Sequence, residues 1–86
     1  MYSLKLESHV SRTFSKLSKK DKPQLEMANK KIKQILENPH RFKPLRAPME
    51  NKRRVQIGSS VLIYRIDEEH KIVEILDYDH HDNIYL

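Results

Sequence analysis

The sequence predicts an α+β fold: a two-helix hairpin packed on one face of an antiparallel β-meander, in the order β-α-α-β-β-β. Three observations carry this. Apolar residues recur at helical spacing between residues 8 and 38. Apolar and polar residues alternate from 54 to 78 between turn-forming clusters. A short alternating stretch precedes both. Helices grouped ahead of a run of strands favour segregated layers, with the helices on one sheet face and the other face open.

Tyr2, Leu4 and Leu6 alternate with Ser3, Lys5 and Glu7, the period of a half-buried strand. Ser8 is a candidate N-cap, and Val10, Phe14 and Leu17 then fall at i, i+4 and i+7 along an amphipathic helix. Asp21 followed by Gln24 suggests a capping box, with Pro23 tolerated in a first helical turn. Leu25, Ala28, Ile32, Ile35 and Leu36 continue the stripe until Asn38-Pro39 stops it. The connection between Lys19 and Lys22 is short, so the helices form an antiparallel hairpin. Residues 40–51, with Pro44 and Pro48, show no period and read as a loop. Strands follow at Arg54–Ile57, Val61–Ile66 and Ile72–Tyr78, joined by a two-residue Gly58-Ser59 turn and by Asp67-Glu68-Glu69-His70. Strand parity sends Leu62, Tyr64 and Ile66 beneath the helices and Val61, Ile63 and Arg65 to the open face. Asp77, Asp79 and His81 share a side by the same count.

The 86 residues suit one domain, residues 1–86, with a single modest core. There is no cysteine, hence neither disulfide framework nor thiolate chemistry. The longest apolar run, Val61–Tyr64, is too short to cross a bilayer, and MYSLKLESH has no apolar targeting region. A cytoplasmic protein without membrane association is expected. The net charge of +5 is unevenly spread. Residues 1–66 hold sixteen Lys/Arg against five Asp/Glu, whereas residues 67–86 hold one against seven. A basic body attracts polyphosphates and acidic protein segments. Its densest stretch has Arg41, Lys43, Arg46, Lys52, Arg53 and Arg54 facing Glu50 alone.

The stretches YSLKLESHVSRTFSKL, IKQILENPHRFKPLR and RRVQIGSSVLIYRIDEEHKIVEILDYDHHDNIY, in this order and spacing, resemble the RelE/ParE toxin superfamily along nearly the whole chain. That family pairs a helical hairpin with a V-R-V…R-V-I-Y meander and a closing G-H-R-x-x-V-Y. Its members are small basic toxins of toxin–antitoxin modules. RelE-type members cleave messenger RNA on the ribosome, and ParE-type members inhibit DNA gyrase. Carried over by position, the first basic residue of the V-R-V strand falls on Arg54 and the second on Gln56. The arginine ahead of V-I-Y falls on Val61, G-H-R places His80 and His81, and the closing tyrosine is Tyr85.

Cleavage of RNA by its own 2′-hydroxyl needs a base, an acid and cations on the phosphate. The resemblance implies His80, His81 and Tyr85 as catalytic residues, because imidazole titrates near neutrality and a tyrosine can stack on a base. Arg54, Arg53, Lys52, Arg46 and Gln56 form the expected substrate-binding set. No cofactor is expected. Asp77, Asp79, His81 and Asp82 match no recognised metal spacing, so no metal site is expected either. The implied partners are a small acidic antitoxin, the ribosome and messenger RNA. The leading expectation is a metal-independent endoribonuclease. Gln56, Val61 and the acidic residues of 77–82 favour two rivals, a gyrase-inhibiting binding toxin and a homologue that keeps antitoxin binding with weakened catalysis.

Overall fold

The computed structural model describes residues 1–49 and 51–84. Strand β1 (Ser3–Leu6) leads into helices α1 (Ser8–Lys20) and α2 (Lys22–Glu37), then a 3₁₀ turn at Pro39–Arg41. Strands β2 (Lys52–Ile57), β3 (Ser60–Asp67) and β4 (Ile72–His80) follow, and a second 3₁₀ turn covers His81–Asn83. The expected α+β architecture is present, with one addition: the sheet is mixed. Its order is β1-β4-β3-β2, the meander is antiparallel, and β1 lies parallel to β4 with Ser3 opposite Ile72 and Leu6 opposite Ile75. A parallel neighbour needs a long crossover, which the helices and meander together supply.

Helix α1 starts one residue earlier than its sequence suggests. Glu7, not Ser8, is the N-cap, and it makes no side-chain capping bond. At the hairpin corner the Oδ1 of Asp21 accepts from the Gln24 N–H at 3.2 Å, the first half of the capping box. The second half is absent. The Asp21 N–H donates to the Leu17 carbonyl, and the Gln24 amide reaches across to Ile57 O (3.0 Å) and the Tyr78 hydroxyl (2.6 Å). A residue expected to close a helix end instead ties α2 to the sheet.

The core lies between hairpin and sheet. Val10, Ala28, Ile32 and Ile35 meet Val55, Ile57, Leu62, Tyr64, Val73, Ile75 and Tyr78, with Phe14, Leu17, Leu36 and Ile66 packed at its margin. Gly58 has a φ of +61°, as a first turn position of this kind requires. A Cβ there would also press on Gln24 Oε1 at 3.2 Å, so glycine lets the β2–β3 turn approach α2.

The opposite face is less open than parity alone suggests. Val61 and Ile63 point away from the helical core yet are only 1% and 5% exposed. Residues 42–45 run along β2, where Pro44 pairs with Arg53 and the Leu45 N–H donates to Lys52 O at 2.9 Å. A cleft of about 340 Å³ opens between this loop and the C-terminal turn. Ile63 and Leu76 line it together with Leu45, Met49 and Ile84, and Lys52 and Asp77 are its charged residues.

Candidate functional site at the strand end

The register fixes what shares the face away from the helices. Arg54, Ile63 and Asp77 form one row across β2, β3 and β4, and Gln56, Val61 and Asp79 form the next. A third row joins Lys52, Arg65, Glu74 and Lys5. A bulge between Ile63 and Tyr64 leaves Leu76 without a partner on β3, so Asp77 and Asp79 keep this face while Tyr78 returns to the core. Asp77 and Asp79 thus agree with the alternation count. His81 does not continue it, because the strand ends at His80 and the chain enters a 3₁₀ turn.

That turn is built around the β2–β3 hairpin. Both the backbone N–H and Nδ1 of His81 lie 2.9 Å from the Ser59 carbonyl. A carbonyl only accepts, so Nδ1 carries a proton there, which leaves Nε2 as the ring's exchangeable position. Nε2 faces Asp82 Oδ1 at 3.0 Å. His80 Nδ1 accepts from the Asp82 N–H at 3.2 Å and lies 3.4 Å from Asp82 Oδ2. The two rings sit 4.4 Å apart, tilted by 31°. Both are about half exposed. Two imidazoles with defined orientations therefore stand at the end of β4 beside the β2–β3 turn, able to exchange protons with a group in solvent. Tyr85 lies outside the described residues.

The basic residues divide. Arg54 and Gln56 are exposed on this face, and the Gln56 amide donates to Gly58 O at 3.2 Å. Lys52 lies at the far end of the face, and Arg46 is exposed on the loop beside Leu45. Arg53 alternates to the helix side and donates Nη1 to the Phe42 carbonyl, tying the loop to β2. The structure thus brings Gln56, His80 and His81 towards the β2–β3 turn, places Arg54 two residues further along β2, and sets Lys52, Arg46 and Arg53 elsewhere. The acidic residues are partly engaged. Asp77 faces His9 on α1 at 3.5 Å, and Asp79 accepts from the His80 N–H (2.7 Å) and the Asn83 amide (3.2 Å). In the third row Glu74 is held below the ordinary glutamate range by a hydrogen bond from Glu7, with Arg65 and Lys5 adding to it.

Sequence reasoning missed Ser59, which positions His81 through its carbonyl. A two-residue hairpin turn places that carbonyl beside the strand pairing with β3, so the register, once known, reveals it.

A family model for the ParE toxin of type II toxin–antitoxin systems matches residues 1–85. An uncharacterized protein of Methanosarcina mazei is 52% identical over 86 residues, covering 99% of this chain and all of its own length. The RelE4 toxin candidate of Methanocaldococcus jannaschii is 43% identical over 86 residues, covering 99% of this chain and 92% of its own. A chain of the RelBE2 toxin–antitoxin complex of Mycobacterium tuberculosis superposes with a TM-score of 0.76 at 29% identity, over 93% of this chain and 98% of that one.

Proposed function

The chain belongs to the ParE toxin family of type II toxin–antitoxin systems, within the RelE/ParE superfamily, and from that premise we propose that it is a RelE-type endoribonuclease acting on ribosome-bound messenger RNA. The observation that carries this reading is the histidine pair, with His81 anchored on Ser59, beside the turn that closes the strand bearing Arg54. Arg54 neutralises the scissile phosphate. One imidazole accepts the 2′-hydroxyl proton as that oxygen attacks phosphorus, and the other donates a proton to the departing 5′-oxygen. Fixed ring orientation favours this, since a catalytic group already held in place pays less to reach its working geometry. Tyr85 is the stacking residue in this reading. Lys52 and Arg46 extend the phosphate track towards the loop. The ribosome supplies the substrate's geometry, and an antitoxin holds the protein inactive, a partner of the kind present in the toxin–antitoxin complex to which the fold is similar.

Val61 favours a second reading. It is 1% exposed and sits where the resemblance expects an arginine, so the face offers phosphate fewer cations than the pattern implies. A toxin that binds gyrase needs no phosphate site, and this chain tolerates Val61 on that account.

The deciding experiment adds purified protein to a ribosome-programmed translation mixture and maps message ends, with gyrase supercoiling assayed in parallel. Cleavage is expected, falling about a hundredfold in Arg54→Ala and in His81→Ala, the usual loss for one transition-state contact. Unbroken message together with inhibited supercoiling would replace the nuclease by the gyrase-binding reading.

A further inference from the structure

We propose that His80, His81 and Asp82 form a site for a divalent transition metal ion of the zinc type. One donor atom from each residue lies within 4.8 Å of the others. The Asp82 carboxylate reaches both rings, with Oδ2 3.4 Å from His80 Nδ1 and Oδ1 3.0 Å from His81 Nε2. Zinc binds nitrogen and oxygen at about 2.0–2.2 Å in a tetrahedron, whose edges are then roughly 3.3–3.6 Å long. The three donor atoms, one from each residue, come to that length by small rotations of exposed side chains.

The orientation of His81 is the second argument. Metal-bound histidines commonly give their other ring N–H to a backbone carbonyl, which turns the lone pair towards the ion. The Ser59 carbonyl does this to His81 Nδ1 from a different element, the β2–β3 turn. At His80 the ion displaces the 3.2 Å bond that Nδ1 accepts from the Asp82 N–H. Two imidazoles and one carboxylate select zinc, nickel or cobalt over magnesium and calcium, which prefer all-oxygen shells. The side chains are 45%, 49% and 73% exposed, so the ion has an entry path and keeps a position open to water.

The inference deepens the nuclease reading in one respect. The ion occupies the lone pairs that proton transfer would use, so a metal-loaded toxin is a silenced one. Binding itself is independent of that reading and is measured separately. Tag-free protein is titrated with zinc chloride by calorimetry in a non-chelating buffer, with magnesium chloride as the control. One zinc per chain is expected, with no magnesium binding. His81→Ala and the milder Asp82→Asn should each weaken binding more than about tenfold while keeping the parent circular-dichroism spectrum. Absence of saturable zinc binding overturns the site. So does binding that survives unchanged in both variants, because it would then belong to His9, His40 or His70, each of which also faces a carboxylate. In the cleavage assay zinc should suppress activity and a chelator restore it. Zinc binding without any cleavage would leave the site standing and remove only the nuclease.

Discussion

Tyr64 shows how a single residue links the loop, the helices and the sheet. It is fully buried in β3, and its hydroxyl donates to the Pro39 carbonyl at 2.7 Å, immediately beyond α2. That carbonyl would otherwise be a buried acceptor lacking this donor. Tyr64→Phe should cost about 1–2 kcal/mol, read as a fall of roughly 5–15 °C in Tm. Burial also pushes the phenol up to about 12, with the Arg53 guanidinium opposing. The folded state thus holds this proton more tightly than the unfolded chain. The associated stability is complete below pH 10 and drains away between about 10 and 12. Thermal melts at pH 9 and pH 11 should therefore show a steeper loss in the parent than in Tyr64→Phe. Equal losses would mean that Tyr64 is not the group responsible. At this scale the sequence was legible where chemistry is local. Asp21 caps as its spacing suggests, but the long reach of Gln24 to Ile57 and Tyr78 depends on which elements become neighbours, and nothing within four residues encodes that.

At the scale of elements, the join between β1 and α1 carries a carboxyl pair that no local pattern announces. Hydrogen bonding to Glu74, and then repulsion from its charge, hold the Glu7 carboxyl above the ordinary glutamate range. Glu74 is held below that range by the same contact and by Arg65. The two act in opposite directions on stability. The Glu74 contribution is present above the unfolded value and is lost on acidification. The Glu7 contribution is present at low pH, where its proton bridges the pair, and is lost as pH rises through the folded value. Glu7→Gln keeps a donor towards Glu74 at every pH and removes the like charge. The Tm difference, variant minus parent, should thus grow more positive from pH 4 to pH 7, and a difference that shrinks would contradict the pairing. Helices, meander and turns were readable because period and turn chemistry are local. The parallel seat of β1 was not, since the sequence specifies a strand without naming its partner. The Leu76 bulge and the 3₁₀ turn at His81 break the strict alternation on which parity depends, which is why Asp77 and Asp79 follow the count and His81 leaves it.

Across the whole molecule, the uneven charge of the chain takes on a different meaning once folded. The acidic last quarter contains β4, which lies inside the sheet, and its carboxylates face cationic or titratable neighbours: Glu74 meets Arg65 and Lys5, Glu68 meets Lys71 and His40, and Asp77 meets His9. Its acidity is therefore partly answered within the fold, and basic residues stand on two surfaces. One is the sheet face with Arg54. The other is the helical side, where Lys30 and Lys31 border a groove of about 220 Å³ lined by Met27, Gln34, Gln56 and Ile57, so that Gln56 borders both. Met27 is 44% exposed there, an apolar anchor with a cationic rim, and such a surface suits an acidic amphipathic segment. The two surfaces should then be separable by charge. Lys30→Glu with Lys31→Glu should slow antitoxin association about tenfold at low salt, through lost steering, and leave message cleavage unchanged. Arg54→Ala should do the reverse, and for single-stranded RNA it should reduce the slope of log affinity against log salt by roughly 0.7, the value for one lost phosphate contact. Stopped-flow association and salt-dependent RNA binding on the two variants give the answer. If Arg54→Ala slows the antitoxin as much as the helix double variant does, the antitoxin covers the sheet face, and neutralisation works by direct occlusion of the site.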